Sequence, residues 1–118
     1  DVCSSDLDVK CAVAWVRSNA ALYGVDADRM ALLGRSAGGH LALLAAYTEG
    51  VAGLPSGCPG LASGGAAVRA VVGFYAPVDM VWDYENPANQ RVLDGPATLR
   101  RLLGSNRRPL ENLARELV

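Results

Sequence analysis

Met30-Ala31-Leu32-Leu33-Gly34-Arg35-Ser36-Ala37-Gly38-Gly39-His40-Leu41-Ala42-Leu43-Leu44-Ala45-Ala46-Tyr47 is the stretch whose reading decides the fold. Met30 to Leu33 is an apolar run too brief for a buried helix, and it suits a central parallel strand. From Ala37 to about Thr48 the residues are helix formers and apolar nearly all round. Leu41, Leu43, Leu44, Ala45, Ala46 and Tyr47 leave no polar face, so this helix should be buried on most sides. Between strand and helix stands Gly34-Arg35-Ser36-Ala37-Gly38, the pattern G-x-S-x-G, extended by Gly39. In that context the pattern predicts a sharp, strained turn that presents the serine hydroxyl at the edge of the sheet. Gly34, Gly38 and Gly39 are expected where a Cβ would clash as strand and helix pack together. The helix that starts here aims its free N–H groups and positive dipole end at the turn. The Ala37 N–H is then placed to form one half of an oxyanion hole, and Ser36 is the candidate nucleophile. The plain alternative is a Gly/Ser turn in a Rossmann-like βα unit, though without the dinucleotide fingerprint G-x-G-x-x-G, because Ser36 occupies the second glycine's place.

Outward from this stretch, residues 8 to 23 read as one helix, with Val9, Ala12, Val13, Val16 and Ala20 on an apolar stripe. Asp8 would cap its start, and Gly24 lies just past its end. Asp26 and Asp28 fall in a polar turn and read as turn and pairing residues. Residues 50 to 66, rich in Gly, Pro and Ser, read as a loop. Val68 to Tyr75 is a second strand, left through Pro77 and Asp79. Residues 80 to 95 show little period. Pro96 to Leu103 is a short helix, with Pro in its first turn and Gly104 to stop it. Leu110 to Val118 is a further helical stretch. The order helix, strand, helix, strand, helix is the α/β pattern with a parallel sheet.

The 118 residues fit one domain or part of one, and 51% of them are hydrophobic, ample for a core. A formal net charge of −1 offers nothing to recruit nucleic acid or an anionic membrane surface. No stretch approaches the roughly 18 apolar residues of a membrane span, and the first residues lack the basic start and apolar run of a signal peptide. Cys3, Cys11 and Cys58 fit neither a CxxC pair nor a zinc knuckle, and read as reduced thiols in a reducing, cytoplasmic compartment. Asp1-Val2-Cys3-Ser4-Ser5-Asp6-Leu7 is similar to the translation of a sequencing-adapter oligonucleotide, so residues 1–7 are expected to be non-native.

Asn19-Ala20, Tyr23-Gly24-Val25-Asp26, Asp28-Arg29 and Gly34-Arg35-Ser36-Ala37-Gly38-Gly39-His40-Leu41-Ala42 together resemble the esterase/lipase branch of the α/β-hydrolases, the hormone-sensitive-lipase-like and related bacterial carboxylesterases. Val72-Gly73-Phe74-Tyr75-Ala76-Pro77-Val78-Asp79 is similar to the strand and turn that follow in those enzymes. The resemblance runs over residues 8–118, strongly to Asp79 and more loosely beyond. It implies a partial α/β-hydrolase fold, incomplete at both ends, with residues 80–118 a cap or post-strand helical region. It implies hydrolysis of a small-molecule carboxylic ester through an acyl-enzyme on Ser36, with no metal or cofactor. A triad His and Asp are expected further along, and a second oxyanion donor from a His-Gly-rich loop upstream.

The sequence holds one histidine, His40, four residues after Ser36. That spacing stacks side chains on a regular helix. Because Ser36 belongs to the turn, His40 is expected to be a packed, hydrogen-bonded residue rather than the base. Asp79 is expected to cap the turn that leaves the sheet, with a triad acid as the sharper alternative. Trp82 and Tyr84 could line the substrate site or simply pack. Arg35 could meet a polar substrate group or form an outward ion pair. An amidase, formamidase or oligopeptidase would share the same turn, and a catalytically silent binding module would keep it without a base.

Overall fold

A computed structural model of the chain describes residues 2–52, 58, 65–89 and 91–102. The expected helix at 110–118 lies outside the described residues, as does most of the expected loop at 50–66. The chain divides into two compact units, residues 1–76 and 77–118.

In the first unit, helices α1 (Val2–Ser18) and α2 (Ala20–Tyr23) precede strand β1 (Ala31–Arg35), helix α3 (Ala37–Tyr47) and strand β2 (Ala70–Phe74). The strands pair in parallel, with Ala31 opposite Ala70, Leu33 opposite Val72 and Arg35 opposite Phe74. The α3 crossover between them packs on both strands, and α1 packs on α3. Two glycines allow α3 to lie close: a Cβ on Gly73 would stand 3.0 Å from Leu43 Cδ1, and one on Gly34 would meet the α3 backbone. The buried core is made of small residues, Val13, Ala14, Ala20, Ala42, Ala45 and Ala66. Ala42 and Ala45 lie with Gly39 on one strip of α3, while Tyr47 is exposed, so burial is narrower than an all-apolar helix led one to expect.

The single helix expected over 8–23 is two. Asn19 interrupts it with φ −107° and ψ 10°, and its side-chain amide donates to the Trp15 carbonyl at 2.8 Å. A short polar side chain that bonds the backbone locally competes with helix continuation. Gly24 closes α2 in the left-handed conformation, φ 65°. The helix also starts at Val2 rather than Asp8. An ion pair stands one turn in: Lys10 Nζ lies 3.4 Å from Asp6 Oδ2, and both residues are buried. Arg17 donates to the Ala67 carbonyl and pairs with Asp28 at 3.7 Å. Asp26 accepts the Asp28 N–H and pairs with Arg29 at 3.0 Å, so both acids serve the turn before β1 as expected.

Cys11 and Cys58 are joined by a disulfide, with Cα atoms 5.3 Å apart. This corrects the reading of both as reduced thiols, and the inference of a reducing compartment loses its premise. The bond joins α1 to a position after α3, a proximity that a separation of 47 residues does not reveal.

The second unit holds α4 (Met80–Glu85) and α5 (Gly95–Leu102), which pack together. The first stands in the stretch 80–95 that showed little period, inside the expected cap or post-strand helical region. Asp79 sets it: its carboxylate accepts the Trp82 N–H at 2.8 Å. Asp94 does the same for α5, accepting the Ala97 N–H at 2.9 Å, with Pro96 in the first turn.

Candidate functional site

Ser36 stands between β1 and α3, and its backbone is unusual on two counts. Its φ of 52° and ψ of −128° lie outside the regions an L-residue with a side chain ordinarily occupies. Holding a non-glycine residue there costs about 1–3 kcal/mol and persists only where the surroundings enforce it. They do so here through the main chain. The Ser36 N–H donates to the Phe74 carbonyl at 3.0 Å, fixing the residue to β2, and its carbonyl accepts the His40 N–H at 3.1 Å, starting the helix.

Serine at the N-cap of a helix usually turns its hydroxyl onto a first-turn N–H. Ser36 makes no side-chain cap bond, and the residue is exposed. The Ala37, Gly38 and Gly39 N–H groups precede the first intrahelical bond, so by position none has a helical acceptor. A hydroxyl not spent on capping thus stands at the positive end of an 11-residue helix. Chemically, such a position supplies an accessible oxygen beside main-chain donors able to hold a developing negative charge.

The glycines differ from expectation in one respect. A Cβ on Gly34 would lie 2.7 Å from Gly39 N and closer still to the Gly38 carbonyl. One on Gly39 would lie 2.9 Å from Ala76 Cβ. Gly38 has nothing within 4 Å of that position, which corrects the expectation that it too avoids a clash. Its openness is a property of the outward side of the first turn of α3, where the residue is exposed.

His40 lies in α3, part-buried, and its main-chain N–H closes the first turn on Ser36. Arg35 is exposed in the last paired position of β1. Asp79, Trp82 and Tyr84 belong to the second unit. The Asp79 carboxylate is engaged as the cap of α4. Trp82 is exposed on that helix, and the Tyr84 hydroxyl accepts from Arg100 at 3.4 Å. Sequence reasoning passed over Tyr75, whose φ of 40° makes it the other non-glycine residue of positive φ among those described. No residue-type signal marks such a conformation in a tyrosine. Among the described residues, no helix is long and apolar enough to cross a membrane.

A family model described as BD-FAE matches residues 4–116. Among curated proteins, the chain is 42% identical over 90 residues to Esterase LipQ of Mycobacterium tuberculosis (strain ATCC 25618 / H37Rv), covering 76% of this chain and 20% of that protein. It is 44% identical over 73 residues to Probable carboxylic ester hydrolase LipM of the same organism, covering 62% of this chain and 16% of that protein. It is 41% identical over 93 residues to that organism's Esterase LipC, covering 75% of this chain and 21% of that protein. The chain thus spans about a fifth of the length of the curated relatives it matches. No solved structure gives a significant match.

Proposed function

Since the chain belongs to the BD-FAE family, an α/β-hydrolase-like group, we propose that it carries the nucleophile of a serine hydrolase that cleaves small-molecule carboxylic esters. The observation that carries this reading is the state of Ser36: a strained backbone, an exposed position, and a hydroxyl not used to cap α3. Three relatives whose names state ester hydrolysis support the same chemistry. Gly34-Arg35-Ser36-Ala37-Gly38 is then a nucleophile elbow.

In the reaction Ser36 Oγ attacks the ester carbonyl carbon and its proton passes to an imidazole base. The tetrahedral oxyanion takes a hydrogen bond from the Ala37 N–H. Collapse expels the alcohol, which receives the proton, and leaves an acyl-enzyme that water hydrolyses by the same steps. His40 is not that base in this reading, since it belongs to the regular part of α3 while Ser36 does not. The base, the acid that orients it and the second oxyanion donor come from outside residues 1–118.

Further support comes from the sheet. Leu33 opposite Val72, and Arg35 opposite Phe74, form a face on the side away from α3, with Leu33 72% exposed and Phe74 50% exposed. Parallel sheets are ordinarily covered on both faces. We read the first unit as part of a larger α/β domain, and α4 and α5 as belonging to a cap or post-strand region.

The test uses the complete protein that carries this chain. Hydrolysis of p-nitrophenyl acetate should fall by on the order of 10³-fold or more in Ser36→Ala. Retention of the activity in that variant would overturn the reading. Faster turnover of formamide or peptide substrates than of esters would move it to an amidase or peptidase of the same fold. The 118-residue chain alone is expected to show no turnover.

A further inference from the structure

Tyr75 follows the last paired residue of β2, has φ 40°, and is 72% exposed. An aromatic residue in the left-handed region carries a conformational cost of about 1–3 kcal/mol. Burial of its ring does not offset that cost here.

Part of the arrangement has a backbone explanation. The turn at Tyr75 sets Ala76 against the start of α3, with Ala76 Cβ 2.9 Å from where a Cβ on Gly39 would stand and 3.4 Å from one on Gly73. The strained turn therefore helps hold the first turn of the helix that Ser36 begins. Glycine would make the same turn without strain. The backbone thus accounts for the turn and leaves the tyrosine side chain unaccounted for.

Its place in the sheet supplies the missing reason. Arg35 opposite Phe74 is the last rung of the ladder, so Ser36 and Tyr75 are the next residues on two adjacent parallel strands. The Ser36 N–H bonded to the Phe74 carbonyl keeps the two strand ends together past that rung. Neighbouring strands run about 4.8 Å apart, a distance a tyrosine side chain easily spans. Ligands of parallel α/β sheets bind beyond the carboxyl ends of the strands, where both residues stand.

From the shared strand-end position of two strained residues, one with a hydroxyl not used as a helix cap and one with an exposed ring, we propose that Tyr75 is a specificity-determining residue of the Ser36 site. Its ring offers an apolar surface to the acyl chain of the ester. The proposal rests on Ser36 being the nucleophile.

Tyr75→Ala, Tyr75→Gly and Tyr75→Phe in the complete protein test it, with p-nitrophenyl acetate and hexanoate as substrates and a fluorophosphonate probe to label the nucleophile. The glycine variant keeps the turn at φ 40° without strain, so it carries the test if the alanine variant fails to fold. Loss of the ring should lower the hexanoate-to-acetate ratio of kcat/KM roughly tenfold, mainly through the KM for hexanoate. Tyr75→Phe should behave as the wild type. An unchanged hexanoate-to-acetate ratio in the alanine or glycine variant, with Ser36 still labelled, would overturn the proposal and leave Tyr75 a turn residue. Absence of labelling at Ser36 in the wild type would instead overturn the nucleophile reading, and the Tyr75 proposal with it.

Discussion

A Cβ placed on Gly34 meets the Gly38 carbonyl and the Gly39 nitrogen, both main-chain atoms that cannot swing aside, whereas one placed on Gly38 meets open space. Gly34→Ala should therefore destabilise the protein by about 1–3 kcal/mol or more, the range for overpacking. Gly38→Ala should be neutral or stabilising by up to about 1 kcal/mol, because alanine loses less freedom in a helix. Denaturant unfolding of the two variants would check the contrast, and equal losses would contradict it. The sequence pattern treats these glycines alike, since both flank the serine. Only the packing distance separates them. The strained turn at Ser36 between β1 and α3 was legible, because an apolar strand, a G-x-S-x-G turn and an apolar helix can meet in few ways. The strain at Tyr75 was not, because tyrosine has no preference for positive φ that a reader could use.

Among the elements, β1, α3, β2 and α5 follow from short apolar runs and clear punctuation at Gly34 and Pro96. The break at Asn19 and the start of α4 follow from single side chains that bond the backbone, and such bonds leave no periodic trace. Asp79 is the sharper case. Its carboxylate holds the Trp82 N–H, so its capping role falls on α4, the helix that begins at the next residue. Asp79→Ala should lower stability by about 1 kcal/mol, the usual value of such a cap, and Asp79→Ser should recover most of it. Ester turnover by folded Asp79→Ala protein should match the wild type. A loss of turnover by several orders of magnitude in the folded variant would mark Asp79 as the triad acid instead.

For the molecule as a whole, the family resemblance read from the Ser36 stretch agrees with a family match extending over 4–116. The disulfide was the large miss, since nothing in the spacing of Cys11 and Cys58 announces that α1 and the chain after α3 come together. Closing a loop of this length removes unfolded-state entropy equivalent to about 4 kcal/mol at 25 °C in the chain-entropy description. Reduction with dithiothreitol, or Cys11→Ser, should therefore lower the thermal midpoint by several degrees. An unchanged midpoint with the bond shown to be open would refute a stabilising role.

The same bond has a mechanical consequence. Tension applied at the two ends of the chain enters at Cys11 and leaves at Cys58, travelling through sulfur and bypassing the main-chain path between them, a sequence separation of 47. β1, Ser36 and α3 lie inside that bypass. Fully drawn out, the sheltered segment represents about 160 Å of contour at roughly 3.4 Å per residue. A pulled oxidised molecule should come up short by about that length, and reduction under load should release it in one step.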